Sequence, residues 1–163
     1  MIVVADTSPI NYLILIDAIS VLPDLYETIV VPNAVFEELL DTETPEKVRD
    51  WIENLPNWFL VKKAAELHEA DLSKLDAGEK EAIFLVEELN ADALMIDDRA
   101  GREEAVKRGI FIIGTLGVLN SAAQKKLLDL PITLEKLRQT NFRVSEKLIL
   151  DLLQLDNDRM RRT

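Results

Sequence analysis

The stretch Ile2-Val3-Val4-Ala5-Asp6-Thr7-Ser8-Pro9 decides how the rest of the chain is read. A short, unbroken apolar run suits a strand buried on both faces, and such strands belong to parallel sheets covered by helices. The run ends on a carboxylate and passes straight into helix-opening residues, since Pro9 suits a first turn and Ser8 can cap it. The expected helix covers Ile10 to Ala18 and turns Leu13, Ile14 and Ile16 inward.

Reading outward, the same alternation recurs. Thr28-Ile29-Val30-Val31 is a second β-branched run, and Pro32-Asn33 opens a helix through Val35, Phe36, Leu39 and Leu40. Thr44-Pro45-Glu46 starts another helix, which breaks at Pro56-Asn57 before a third strand over Trp58 to Val61. The segment from Lys62 to Ser73 reads as a linker or loose helix. Leu75-Asp76-Ala77-Gly78-Glu79 opens a strongly amphipathic helix with Ala82, Ile83, Val86 and Leu89 at helical spacing. A fourth strand, Ala93 to Ile96, ends in Asp97-Asp98-Arg99. A helix from Arg102 to Lys107, a stop at Gly109 and the run Ile110 to Ile113 follow. Strand and helix in strict alternation predict a three-layer α/β/α fold around a parallel sheet of four to five strands, with ligands beyond the carboxyl ends of the strands.

With 163 residues and 48% hydrophobic side chains, the chain can bury one proper core. The expected organisation is a main α/β domain over residues 1–128 and a helical extension over 129–163 packed on it. The apolar face of Leu148, Ile149, Leu152, Leu153 and Leu155 requires such packing. The absence of cysteine rules out disulfides and thiolate metal sites. No apolar run is long enough to span a membrane, so the expected location is the cytoplasm. A net charge of −11 disfavours broad electrostatic binding of nucleic acid. A carboxylate cluster neutralised by metal inverts that sign locally.

The carboxylates fall in telling places. Asp6 directly follows the first strand and Asp97-Asp98 the fourth, so each projects into the crevice of a parallel sheet. Glu38 lies in the helix after the second strand, and Glu79 in the first turn of the helix before the fourth. Such acids converging would suit Mg²⁺ or Mn²⁺, which take oxygen ligands and promote phosphodiester hydrolysis. Each also has a plainer explanation: of 30 Asp and Glu most must be solvated, Glu79 suits a helix dipole, and Asp97 or Asp98 suits a cap. Asp6 has the least structural excuse. His68 lies in a polar segment and carries no assigned chemistry.

Asp6-Thr7-Ser8, Val31-Pro32 with Val35 and Glu37-Glu38-Leu39, Leu75-Asp76-Ala77-Gly78-Glu79, and Leu94-Met95-Ile96-Asp97-Asp98-Arg99 resemble the successive motifs of PIN domains. The resemblance is closest to prokaryotic VapC-type toxins. It implies a metal-dependent endoribonuclease that cleaves RNA, is homodimeric, and is neutralised by a cognate antitoxin. Carried over by position, Asp6, Glu38, Glu79 and Asp98 match the four family acids that hold Mg²⁺ or Mn²⁺, with Asp97 as an auxiliary ligand. Ser8 matches the small polar position that arranges the first acid, and Thr115 the polar residue that borders the pocket. Arg99 and Arg102, after the fourth strand, are the expected RNA contacts. This chain has Glu79 where many relatives carry Asp, and Ile96 where they commonly carry Thr.

Two other classes compete. One is a catalytically weak or inactive PIN-fold binding module, favoured by the acidity of the chain. The other is a phosphotransfer domain, which also places Asp after a first parallel strand. The phosphatase pattern needs a second Asp where this chain has Ser8, and a receiver needs Lys where it has Gly114-Thr115.

Overall fold

The computed structural model describes residues 1–65 and 72–163. His68 and half of the stretch read as linker or loose helix lie outside the described residues. Five strands, β1 (Ile2–Ala5), β2 (Thr28–Pro32), β3 (Phe59–Lys62), β4 (Ala93–Met95) and β5 (Ile112–Ile113), form a sheet in the order β3-β2-β1-β4-β5. Every pairing is parallel, with Val3 opposite Ile29 on one side and Ala93 on the other. The order reverses at β1, because the chain steps outward to β3 and then returns to place β4 on β1's other flank. That reversal opens a crevice between the carboxyl ends of β1 and β4.

Side-chain alternation along the strands explains the layers. Val3, Ala5, Ile29, Val31 and Met95 face one core, built with α1 (Thr7–Leu15), α2 (Leu22–Leu25), α3 (Asn33–Leu39), α4 (Glu46–Ile52), α7 (Thr115–Gln124), α8 (Leu130–Arg138) and α9 (Glu146–Arg161). Val4, Val30, Leu94 and Ile96 face the other, built with α5 (Ala77–Leu89) and α6 (Arg99–Lys107). The fold is therefore the expected three-layer α/β/α arrangement. Leu130, Leu134, Leu137 and Ile149 join the same core as β1, so the helices beyond residue 129 share the sheet's apolar interior. Asp156, Arg159 and Asn120 pin α9 to α7, with Arg159 bonded to both partners at 3.1 and 2.8 Å. Among the described residues no single helix is long and apolar enough to cross a membrane.

Local readings differ from the structure at several points. The first helix starts at Thr7, so Asp6 and not Ser8 occupies the N-cap position. The Asp6 amide still donates to Met95 O at 2.9 Å, and the chain leaves the sheet and enters the helix with no loop between. The helix stops at Leu15 because Asp17 takes a left-handed backbone with φ 59°. A 3₁₀ turn over Ile19–Val21 and the short α2 follow, both unforeseen. The helix after β4 begins at Arg99 instead of Arg102, since Asp98 caps it by accepting from Gly101 N at 3.0 Å. The fifth strand shrinks to Ile112–Ile113, leaving Phe111 66% exposed.

Candidate metal and active site

The sheet's reversal point gathers acids from four elements. Asp6, the residue after β1, is only 5% exposed. The first turn of α5 comes against it because position 78 is glycine: a Cβ there would stand 3.5 Å from both Asp6 Oδ1 and Asp76 Oδ1, and 3.1 Å from Val35 Cγ2. Asp76 and Glu79 form a reciprocal capping box, with Glu79 N donating to Asp76 Oδ1 at 2.8 Å and Asp76 N donating to Glu79 Oε2 at 3.1 Å. Glu38 arrives from the last turn of α3 and accepts from the Thr7 hydroxyl at 2.8 Å through Oε2. Asp98 lies two residues beyond Ile96, whose amide is bonded to Ile113 O.

These acids feel one another. Burial pushes the Asp6 carboxyl up to about 8; the Thr7 backbone N–H opposes this, while Asp76, Glu79 and Glu38 push it higher. Burial likewise lifts Glu79 to about 7, against the Asp76 backbone N–H, with the charges of Asp76 and Asp98 adding to the rise. Glu79 thus links Asp98 to the group around Asp6. Three of the acids also share a design: Glu38 Oε2, Glu79 Oε2 and Asp98 Oδ2 are each held by a donor, while the other oxygen of each accepts no hydrogen bond among the described residues. One oxygen fixes each side chain, its mate has no N–H or hydroxyl donor among the described residues, and at Glu79 the Asp76 carboxyl is a further hydrogen-bond neighbour. An open cleft of about 400 Å³ runs past Glu37, Glu38, Asp41, Asp76 and Gly78.

Asp97 is placed differently from its neighbour. Its Oδ1 accepts the Thr115 amide at 2.8 Å and its Oδ2 the Thr115 hydroxyl at 2.6 Å, so it ties the end of β4 to the start of α7. Thr115 is fully buried. Ser8 sits in the first turn of α1 and forms no hydrogen bond to Asp6 among the described residues; Thr7 is the hydroxyl that reaches a site acid. Arg99 is 93% exposed and paired with Glu103 at 3.0 Å. Arg102 is half-buried, with its guanidinium against Gly114.

Asp76 was missing from the residues assigned to the site by sequence, although it heads the charges acting on both Asp6 and Glu79. Its signal was present: Asp-x-x-Glu just before an apolar run is a capping box, and this one opens at a glycine. Among the described residues no three acids stand in a preformed arrangement able to hold a metal ion. The donor set nevertheless fits a hard divalent cation. Its ligating atoms are all carboxylate oxygens, and their mutual repulsion is what a divalent charge relieves. Asp6, Glu38, Glu79 and Asp98 are the residues that would hold it.

Comparison with known proteins bears on the fold and the family. In the solved structures, the chain resembles a PilT N-terminus domain protein from the hyperthermophilic archaeon Sulfolobus solfataricus P2, at 17% identity and a TM-score of 0.53, covering 75% of this chain and 93% of that one. At that identity the likeness is one of fold. No curated protein matches the chain. A family model described as PIN domain matches residues 2–158, which takes in the sheet, every acid named above and nearly all of α9. The chain belongs to the PIN-domain family.

Proposed function

We propose that the chain is a metal-dependent endoribonuclease that hydrolyses RNA phosphodiester bonds, acting as the toxin of a toxin-antitoxin pair in the cytoplasm. The observation that carries the hydrolase reading is the repulsive acid group at the sheet's reversal point, where Asp6 and Glu79 are lifted to about 8 and 7. Burying carboxylates among carboxylates is costly unless a cation joins them. When bound, Mg²⁺ or Mn²⁺ supplies Lewis acidity toward a phosphodiester oxygen and toward water.

The chain's own residues do the rest. Asp6, Glu38, Glu79 and Asp98 supply oxygen donors, with Asp97 as an auxiliary candidate. The Thr7 hydroxyl orients Glu38, and the Asp76 backbone N–H orients Glu79. Arg102 and Arg99 offer positive charge just beyond Asp98, where phosphates approach. Preference for RNA, a homodimeric state and a cognate antitoxin rest on the resemblance to VapC-type toxins.

A second reading, a PIN-fold binding module with weak or no catalysis, is favoured by the lack of a preformed metal triad among the described residues and by the net charge of −11. Manganese titration followed by calorimetry, together with cleavage of end-labelled RNA, separates the two. The nuclease reading expects saturable Mn²⁺ binding and turnover, both weakened by Asp6→Asn at least about a hundredfold. Wild-type protein that neither binds Mn²⁺ nor cuts RNA would leave only the module.

A further inference from the structure

A second cleft lies away from Asp6, Glu38 and Glu79. It has a volume of about 800 Å³ and follows the outer edge of β5 between α7 and the segment leading into α9, with Phe111, Gly114, Asn120, Phe142, Arg102 and Arg143 along it. Asp97 lines it at one end, one residue from Asp98.

Two guanidiniums line it, Arg102 and Arg143, and neither has an acidic partner among the described residues; the same holds for Arg49, Arg161 and Arg162, but those three lie off this cleft. Among the described residues that line the cleft the one acid, Asp97, is occupied by Thr115. In a chain of net charge −11, two unpaired guanidiniums on one groove call for an anion. Arg143 is held near the mouth of the crevice by its neighbours: the Tyr12 hydroxyl bonds Asn141 Oδ1 at 2.7 Å, and the Tyr12 ring meets Phe142 edge-on at 4.9 Å. Tyr12 feels the charges of both Asp97 and Arg143.

The groove also offers a stacking face. Phe111 is 66% exposed just before β5, about 10 Å along the strand from Gly114 at roughly 3.3 Å per residue. β4 takes Phe111 O and Ile113 O as acceptors, so strand alternation turns the Ile112 N–H and C=O outward into the cleft. Anion-binding guanidiniums, an exposed aromatic ring and outward backbone groups together match unpaired nucleotides, which present phosphate, base face and base edge at once.

We propose that this groove binds single-stranded nucleic acid, with Arg102 and Arg143 on phosphates and Phe111 under a base, and leads the strand to Asp98. Its direction toward Asp98 rests on the nuclease reading; binding itself does not. The loop before α9 thereby supplies a substrate contact, Arg143, from outside the motifs that carry the acids.

The test uses metal-free protein and a fluorescein-labelled oligouridylate, with anisotropy read across a salt series. Arg143→Ala and Arg102→Ala should each weaken binding about fivefold or more and lower the salt slope by about one. Phe111→Ala should weaken it about tenfold with the salt slope unchanged. Lys136→Ala, an equal charge change outside the groove, should bind as wild type. All three groove residues are exposed or half-buried, so the variants should fold, which thermal melts check. Wild-type affinity in the Arg102→Ala/Arg143→Ala double variant overturns the proposal. So does a Phe111→Ala variant that turns a dimer into a monomer on sedimentation while binding RNA normally, because the groove would then join two copies. Binding lost in the groove variants, in a protein that never cleaves, would support the groove and remove only the nuclease reading.

Discussion

Two glutamates two residues apart on α5, Glu79 and Glu81, are buried alike at 7% and 5% exposure, yet their surroundings are opposite. Glu81 accepts the Ala34 amide at 2.9 Å with one oxygen and the Ala64 amide at 3.0 Å with the other, joining the start of α3 to the chain beyond β3. Glu79 has one donor and faces Asp76 and Asp98. A carboxylate placed for structure has both oxygens satisfied by backbone donors; one placed for a cation keeps an oxygen open among other acids. The same rule separates Asp97, with both oxygens on Thr115, from Asp98, with one on Gly101.

The sharpest way to break this comparison is to exchange the losses. Glu81→Ala strips the acceptor from two backbone amides, the Ala64 one buried, and should cost about 2–5 kcal/mol of stability. Urea melts measure this, and the remaining folded protein should keep its Mn²⁺ affinity. Asp6→Asn should do the reverse, abolishing Mn²⁺ binding while leaving metal-free stability equal or higher at neutral pH. A Glu81 variant as stable as wild type would show that hydrogen-bond completeness does not identify structural acids here.

A separate effect follows from pH. The Asp6 carboxyl rises from 3.8 to about 8 on folding and Glu79 from 4.5 to about 7, so between those limits the folded chain holds more protons than the unfolded one. Stability from these groups is therefore complete below pH 4 and is lost as pH climbs through 7 and 8, at a slope on the order of 1 kcal/mol per pH unit for each group. Thermal melts of metal-free protein should show the decline, and Asp6→Asn or added Mn²⁺ should flatten it. A metal-free melting temperature that rises from pH 5 to pH 8 would count against a repulsive acid group.

Most of the architecture could be read from the residues because buried parallel strands announce themselves as unbroken apolar runs, and β1, β2 and β4 do so. Asp6 was legible for the same reason: a carboxylate immediately after such a run has nowhere to go but the crevice. Element ends were less legible. Whether the helix after β1 begins at Thr7 or Ile10 depends on the Asp6 amide being bonded to Met95 O, a tertiary contact absent from any local pattern. Asp76 was quoted in a motif yet read only as a helix opener, since its role comes from Gly78 letting α5 approach β1. Glu81 was invisible, because its partners Ala34 and Ala64 lie far along the chain. The ending Asn141 to Ser145 before the last helix could be read only as a family resemblance, since the groove neighbours of Arg143 are equally distant in sequence.

The finest distinction concerns adjacent residues. Asp97 and Asp98 read identically as a strand-exit pair, but extended backbone turns successive side chains to opposite sides, one toward α7 and the other toward Glu79. Thr115→Val preserves shape, keeps the amide bond to Asp97 Oδ1 and removes only the 2.6 Å hydroxyl bond to Oδ2. Because Asp97 is only half-buried, water can take up part of the loss, and the expected cost is about 1 kcal/mol. Mn²⁺ affinity discriminates the two roles. If Asp97 is only a clamp, the affinity stays at the wild-type value. If Asp97 is an auxiliary ligand whose oxygen the hydroxyl restrains, freeing Oδ2 changes the affinity severalfold, and Asp97 joins the acids around Asp6.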